Sequence, residues 1–376
     1  MTFRVEWLRI RQREPLVVGI LFLLAIAAFV AVSALTNSYR ARQRHVTWEL
    51  YTHAASALKS GNVPEAIRAF RSAVDLAPDN SLYQLALAKA LMAAGRNAEA
   101  LPYLEILWDK QPENGEVNLE LARNYAASGD MEQTIRHYQN AIYSVWRTDP
   151  DANRRTVRFE LIHYLMARGA KTQANAELVA LAGNLPEDTT LRNQVAALFF
   201  DTKDYARALS QYERVIRVDP QNKEALAGVG QAAFQMGQFA TAQKYLSEAV
   251  RQNPNDSESS ADLKIASAVR AVDPFDRRIS ESERRTRVLY AFHVASKRLQ
   301  DCVHSTNEQD RFQPLMQRQA AMQAKVNSLS QKPGLSVSIM DLVFEIEEAT
   351  QGVCEAPTRE DMALSLLSKH AENAER

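Results

Sequence analysis

From Ser81 to Asn114 the chain reads SLYQLALAKALMAAGRNAEALPYLEILWDKQPEN, and from Thr189 to Asn222 it reads TTLRNQVAALFFDTKDYARALSQYERVIRVDPQN. Each stretch holds two apolar runs of helical period and closes near a proline. Counting outward, Pro78, Pro112, Pro186, Pro220 and Pro254 mark the ends of segments that begin at Thr47, Ser81, Arg155, Thr189 and Lys223. A sixth segment, from Gly115, keeps the pattern without its final proline. A period of 34 residues predicts helix-turn-helix units stacked in a row.

The positions inside each unit agree with one another. Its eighth residue, where the two helices of a hairpin touch, is Ala54, Ala88, Ala122, Ile162, Ala196 or Gly230, and the small residue opposite is Ala66, Ala100, Thr134, Ala174, Ala208 or Ala242. A bulky residue follows at Phe70, Leu104, Tyr138, Leu178, Tyr212 and, one place early, Tyr245. The turn between the helices carries Gly61, Gly95, Gly129, Gly169 and Gly237, with Lys203 the exception. Proline at the end of the second helix stops it, because it lacks an N–H and restricts the residue before it. In these residues the chain resembles the tetratricopeptide-repeat family over roughly 47–256. The resemblance implies a right-handed superhelix of about six units in an all-α protein whose work is to hold other proteins. It says little about which partner.

In that family the first helix of each hairpin lines a concave groove. The matching positions here are Trp48, Tyr51, Leu58, Leu82, Leu85, Lys89, Met92, Leu119, Arg123, Phe159, His163, Met166, Phe200, Gln231 and Phe234. Large apolar groups among polar ones suit a peptide or helix partner; alternatively Leu82, Leu85 and Leu119 complete packing between repeats. Family members that clamp the terminal carboxylate of chaperones use cations and amides at positions held here by Tyr51, Ala55, Ala86, Glu116 and Glu120. Two acids there would repel a carboxylate, which excludes that partner from these repeats. The segment Val145–Asp151 lengthens the connection between third and fourth units, so a bend or an extended helix is expected there. Ile162 makes the fourth unit the weakest match.

Net charge is zero and 24% of residues are charged, so no global attraction to nucleic acid is expected. Residues 1–15 form a basic tail. The stretch Leu16–Leu35 carries no charge. A helix of that length crosses a hydrocarbon core of about 30 Å, so 16–36 is read as a membrane span, or else as a long signal sequence. Residues 37–46 are read as a linker. Arg4, Arg9, Arg11 and Arg13 before the span, against Arg40, Arg42 and Arg44 after it, lean toward a cytoplasmic N-terminus. In a bacterial inner membrane this puts the soluble part in the periplasm, the cytoplasm being the alternative.

The array 47–272 ends in a capping helix, Ser257–Val272, and a helical region follows at 273–376. Ser280 with Glu283 predicts a helix start. A second helix is expected over about 308–329, then a turn at Lys332, Pro333 and Gly334. Ser338 with Asp341 and Thr358 with Asp361 predict two further starts. Four such helices either form a small bundle or pack against the final repeat. Antiparallel packing brings the end of the first beside the end of the third, so Cys302 and Cys354 can form a disulfide; two buried thiols would read the same way.

No catalytic constellation and no phosphate loop is present in the sequence, and no cofactor is implied. Cys302 with His304, joined by Cys354 or Glu308, falls short of a metal site, since a closed zinc site needs four ligands. His137 and His163 are read as packing or surface residues. Three functions remain: a membrane-tethered, non-enzymatic adaptor binding a protein in the groove; a structural subunit acting through the C-terminal helices; and a metal-binding or enzymatic C-terminal region.

Overall fold

Asparagine or aspartate precedes nine of the helices and caps each with its side chain: Asn62, Asn80, Asn114, Asp130, Asp149, Asp188, Asp204, Asn222 and Asp256 each accept an N–H from the first turn. Each cap satisfies a backbone donor that the helix itself cannot, and contributes about 1 kcal/mol. The computed structural model describes residues 3–276, 278–305, 309–326, 329, 334–354 and 356–374. Among them are seventeen helices and no strand, the one extended pairing being an isolated parallel bridge between Asn114 and Val145. They divide into two compact units, Met1–Arg168 and Gly169–Arg376. The division falls inside the fourth repeat.

The first unit contains α1 (Phe3–Lys59), α2 (Val63–Leu76), α3 (Ser81–Ala93), α4 (Asn97–Lys110), α5 (Gly115–Ser128), α6 (Met131–Tyr143) and α7 (Pro150–Ala167). Consecutive helices pack together along the series. Ala54, Ala66, Ala88, Ala100, Ala122 and Thr134 are fully buried where the helices of each hairpin meet, so small side chains set the close approach. Phe70 and Leu104, at the bulky position, are buried as well; each adds roughly 1.5–3 kcal/mol of hydrophobic stabilisation.

No break separates the apolar segment from the repeats. The first helix of the first repeat is the end of α1, and the stretch 37–46, expected as a linker, lies within the same helix. It contains neither glycine nor proline to stop the helix. The part Val17–Lys59 is long and apolar enough to cross a membrane, and its apolar side chains, Phe22, Leu23 and Phe29 among them, are exposed.

After α6 the chain leaves helical geometry at Ser144. Val145 donates its N–H to Glu113 O (2.9 Å) and accepts one from Gly115 (3.0 Å), while the Trp146 indole donates to Ala141 O (2.9 Å). A β-carbon at Gly115 would fall 2.4 Å from the Trp146 ring, so only glycine leaves room for this crossing. The fourth repeat then opens early, at Pro150, and its first helix is extended to 18 residues.

The second unit contains α8 (Lys171–Ala182), α9 (Thr189–Asp201), α10 (Tyr205–Val218), α11 (Lys223–Gln235), α12 (Phe239–Gln252), α13 (Ser257–Val272), α14 (Glu281–Ser305), α15 (Gln309–Lys325), α16 (Leu335–Thr350) and α17 (Arg359–Ala374). Lys203 takes the turn position that glycine holds in the other hairpins, at φ 66°. A side chain there costs roughly 1–2 kcal/mol relative to glycine. The helices after α13 build no core apart from the repeats. Leu246 of α12, Val269 of α13, Phe292 and Leu299 of α14, Ile346 of α16 and Leu364 of α17 belong to one buried cluster.

Ser280 accepts the Glu283 N–H (3.1 Å), and Thr358 and Asp361 cap each other's backbone (2.8 and 3.2 Å), as expected from their spacing. The expected start at Ser338 is corrected. Gly334 continues in helical geometry into α16, which begins at Leu335, so Ser338 and Asp341 lie inside the helix. Lys332 and Pro333 lie outside the described residues.

Candidate functional site

The first helices of the second and third repeats, α3 and α5, face one another across a cavity of about 670 Å³. Leu82, Leu85, Val117 and Leu119 give it an apolar floor, and the segment Val145–Thr148 closes one side. Leu85 and Leu119 are buried, whereas Leu82 keeps 47% of its surface. Packing therefore accounts for two of these leucines and leaves the third open.

A ladder of charges crosses the floor. Lys89 Nζ lies 2.9 Å from Glu116 and 3.7 Å from Glu120. Arg123 donates to Glu120 (2.9 Å) and, through two nitrogens, to Glu160 on α7 (2.6 and 3.0 Å). Such a two-point pairing fixes the guidanidinium plane as well as its charge. Glu120 is nearly buried, and burial pushes its carboxyl above the ordinary range against the pull of Arg123 and Lys89. For Lys89, burial alone would lower the pKa, but the Glu116 hydrogen bond and both carboxylates hold it above its usual value. The two acids at the clamp positions thus stand as members of ion pairs.

The other groove positions lie outside this cavity's lining. Trp48 is exposed and stacks on Tyr51 (5.3 Å between centroids), which packs in turn on Phe70 and Tyr83. Leu58 and Met92 are half-buried against the core of the first repeats. On α7, Phe159 and Met166 are half-buried and His163 is exposed. In the second unit, Phe200 packs edge-on against Tyr205, Gln231 is half-buried, and Phe234 meets Phe239. Buried His137 sits between Trp108 and Tyr125, where burial, then Arg136, lowers its pKa to about 4. It is a packing residue.

A second polar cluster lies among the C-terminal helices. Arg298 of α14 donates to Thr350 Oγ1 (2.8 Å) and to Asp361 Oδ2 (3.0 Å), and its Nε is 3.5 Å from Glu347 Oε2. All three charged side chains are buried. Glu347 Oε1 has no hydrogen-bond partner. Cys302 and Cys354 are joined nearby, with Cα atoms 5.2 Å apart. Among the described residues no group of three or more His, Cys, Asp or Glu side chains is arranged around a metal position; Glu308 lies outside them.

Burial, reinforced by Asp361 and opposed by Arg298, pushes the Glu347 carboxyl up to about 8. Its folded pKa exceeds the unfolded value, so the stability it contributes is fully present below the unfolded carboxylate pKa and is lost as pH rises through about 8. The second unit is expected to weaken with rising pH across this window by up to about 1.4 kcal/mol per pH unit. Glu347→Gln is expected to flatten that slope. Urea unfolding read by proteolysis within α14–α17 at several pH values checks this; equal slopes for both proteins would refute it.

Models of the tetratricopeptide repeat match residues 51–105, and 91–136 with 199–264. Among solved structures, a protein studied in the functional characterization of Pseudomonas aeruginosa pilF is 16% identical, with a TM-score of 0.40 over 58% of this chain and 97% of its own. PilW, described as a widely conserved type IV pilus biogenesis factor, is 16% identical, with a TM-score of 0.39 over 57% and 96%. The C-terminal part of a repeat-containing protein from Cytophaga hutchinsonii is 14% identical, with a TM-score of 0.45 over 64% and 93%. No curated protein matches the sequence.

Proposed function

Because this chain is a tetratricopeptide-repeat protein, a fold that mediates protein–protein interaction, we propose that it is a membrane-anchored scaffold without catalytic activity, holding a protein partner by a peptide or helix. Residues 16–36 serve as the anchor, and the repeats stand on the periplasmic side of a bacterial inner membrane, in the assembly or maintenance of an envelope complex. The observation that carries the reading is the cavity on α3 and α5. An exposed leucine, Leu82, stands there beside a fixed ladder of alternating charges, which suits an amphipathic segment better than a free carboxylate. The disulfide supports the oxidising compartment.

A photoreactive amino acid at position 82 tests the groove, with one at Ile106 as control, since Ile106 is exposed on α4. The expected result is one discrete protein adduct from position 82, none from 106, and its loss on Arg123→Glu. Equal labelling from both positions would refute use of this groove.

A further inference from the structure

The C-terminal cluster opens on a pocket that one of the expected groove positions, Phe234, helps to wall. Phe234 of α11, Ile265 of α13, and Met362 and Leu366 of α17 wall a pocket of about 410 Å³ whose lining includes Arg298, Glu347 and Asp361. That volume is in the range of small-ligand sites.

The pocket's polar partners are unevenly distributed. The lining carries Arg298 from α14, Glu347 from α16, and Asp361 with the exposed Lys369 from α17; α11 and α13 contribute no charge. Asp361 takes one Arg298 nitrogen and the Thr358 N–H, and Thr350 takes another Arg298 nitrogen. Inside the pocket, away from exposed Lys369, one guanidinium thus faces two carboxyl groups. Glu347 is the under-partnered one: it is 3% exposed, touches Arg298 at only 3.5 Å through Oε2, and has no hydrogen-bond partner at Oε1. A buried acceptor left unpaired is costly, and an unpaired charge more so.

We propose that this pocket binds an organic cation, an ammonium or guanidinium group on an apolar stem, with the head group at Glu347 and the stem against Phe234, Ile265, Met362 and Leu366. A neutral ligand would leave Glu347 holding its proton, and an anion would meet Asp361 as well as Glu347. A cation supplies the missing donor and the opposite charge that lets Glu347 release its proton. Burial holds the Glu347 proton up to about 8, so an arriving cation displaces it. Affinity therefore rises with pH toward 8, with release of up to one proton. The head group can come from a free amine or from a basic side chain of another protein; the chemistry is the same.

The test is calorimetric titration of the full-length chain in detergent with hexylamine, hexanol, and a short peptide bearing one lysine between leucines. The expected result is saturable binding of hexylammonium or the lysine peptide at least about tenfold tighter than hexanol, with proton release. Glu347→Gln, a substitution of similar shape, is expected to bring the cation down to the level of hexanol. Met362→Trp, at an exposed position on the pocket wall, is expected to weaken binding sterically. Tighter binding of the amine would identify a small molecule as the source, and tighter binding of the peptide a partner's side chain. Equal affinities for cation and alcohol, an unchanged Glu347→Gln affinity, or no binding of either cation at millimolar concentration would overturn the proposal.

Discussion

Replacing Cys302 and Cys354 together by serine is expected to lower the thermal midpoint of the second unit by about 8–16 °C. The bond closes a loop of 52 residues between the end of α14 and the segment after α16. In the chain-entropy treatment a loop of this length restrains the unfolded chain by about 4 kcal/mol. For a unit of this size each kilocalorie shifts the midpoint by about 2–4 °C. Calorimetry with and without reductant measures it directly, with thiol titration to verify reduction. A midpoint indifferent to complete reduction would mean that packing of α14, α16 and α17 holds the loop unaided. The same reagents report compartment: thiols that become labelled in intact cells only after reduction support the periplasmic assignment.

Arg298→Met is expected to destabilise the second unit by about 3–5 kcal/mol near neutral pH, because it leaves Asp361 buried without its cation. Methionine fills a similar volume, so the loss measures electrostatics more than a cavity. Asp361 would keep its bond from the Thr358 N–H, whereas Glu347 would keep none. Both acids can relieve the loss by taking up protons, so the difference between variant and parent should shrink as pH falls toward the ordinary carboxylate range. Urea unfolding at pH 5 and pH 8 gives the comparison. A loss that is small, or equal at both values, would mean that the cluster is solvated. At pH 8 the double variant Arg298→Met with Glu347→Gln should recover part of the loss, since it removes the charge that Glu347 takes on as pH rises through about 8.

The repeats are legible because their signals are local. Alanines at the hairpin crossings, glycines at the turns and prolines at the ends each act within a few residues, and the structure buries those alanines completely. Lys89 and Arg123 could both be placed in the groove from the sequence because they share a repeat position. Glu160 could not: it reaches Arg123 from a helix 37 residues away, across a connection that breaks the period. The Arg298 cluster was invisible for the same reason, since its members come from three helices and no spacing rule joins them. The misread start at Ser338 has a different cause. A serine followed three residues later by an acid occurs on the polar side of many helices, and only the backbone before it decides whether it caps one. Thr358 with Asp361, preceded by Pro357, had that further signal.

The unbroken course of α1 has a consequence for direction as well as reach. A flexible tether lets its cargo sweep a sphere, but a helix turns about 100° per residue. With 16–36 as the proposed anchor, the azimuth of the first repeat about the axis of that segment is therefore set by residue count. One residue inserted between 37 and 46 would rotate the repeats by about 100° and lift them by about 1.5 Å, while seven would restore the heading to within about 20°. A partner embedded in the same membrane would then be met along one bearing, so that length and compass heading are written into the same stretch of sequence.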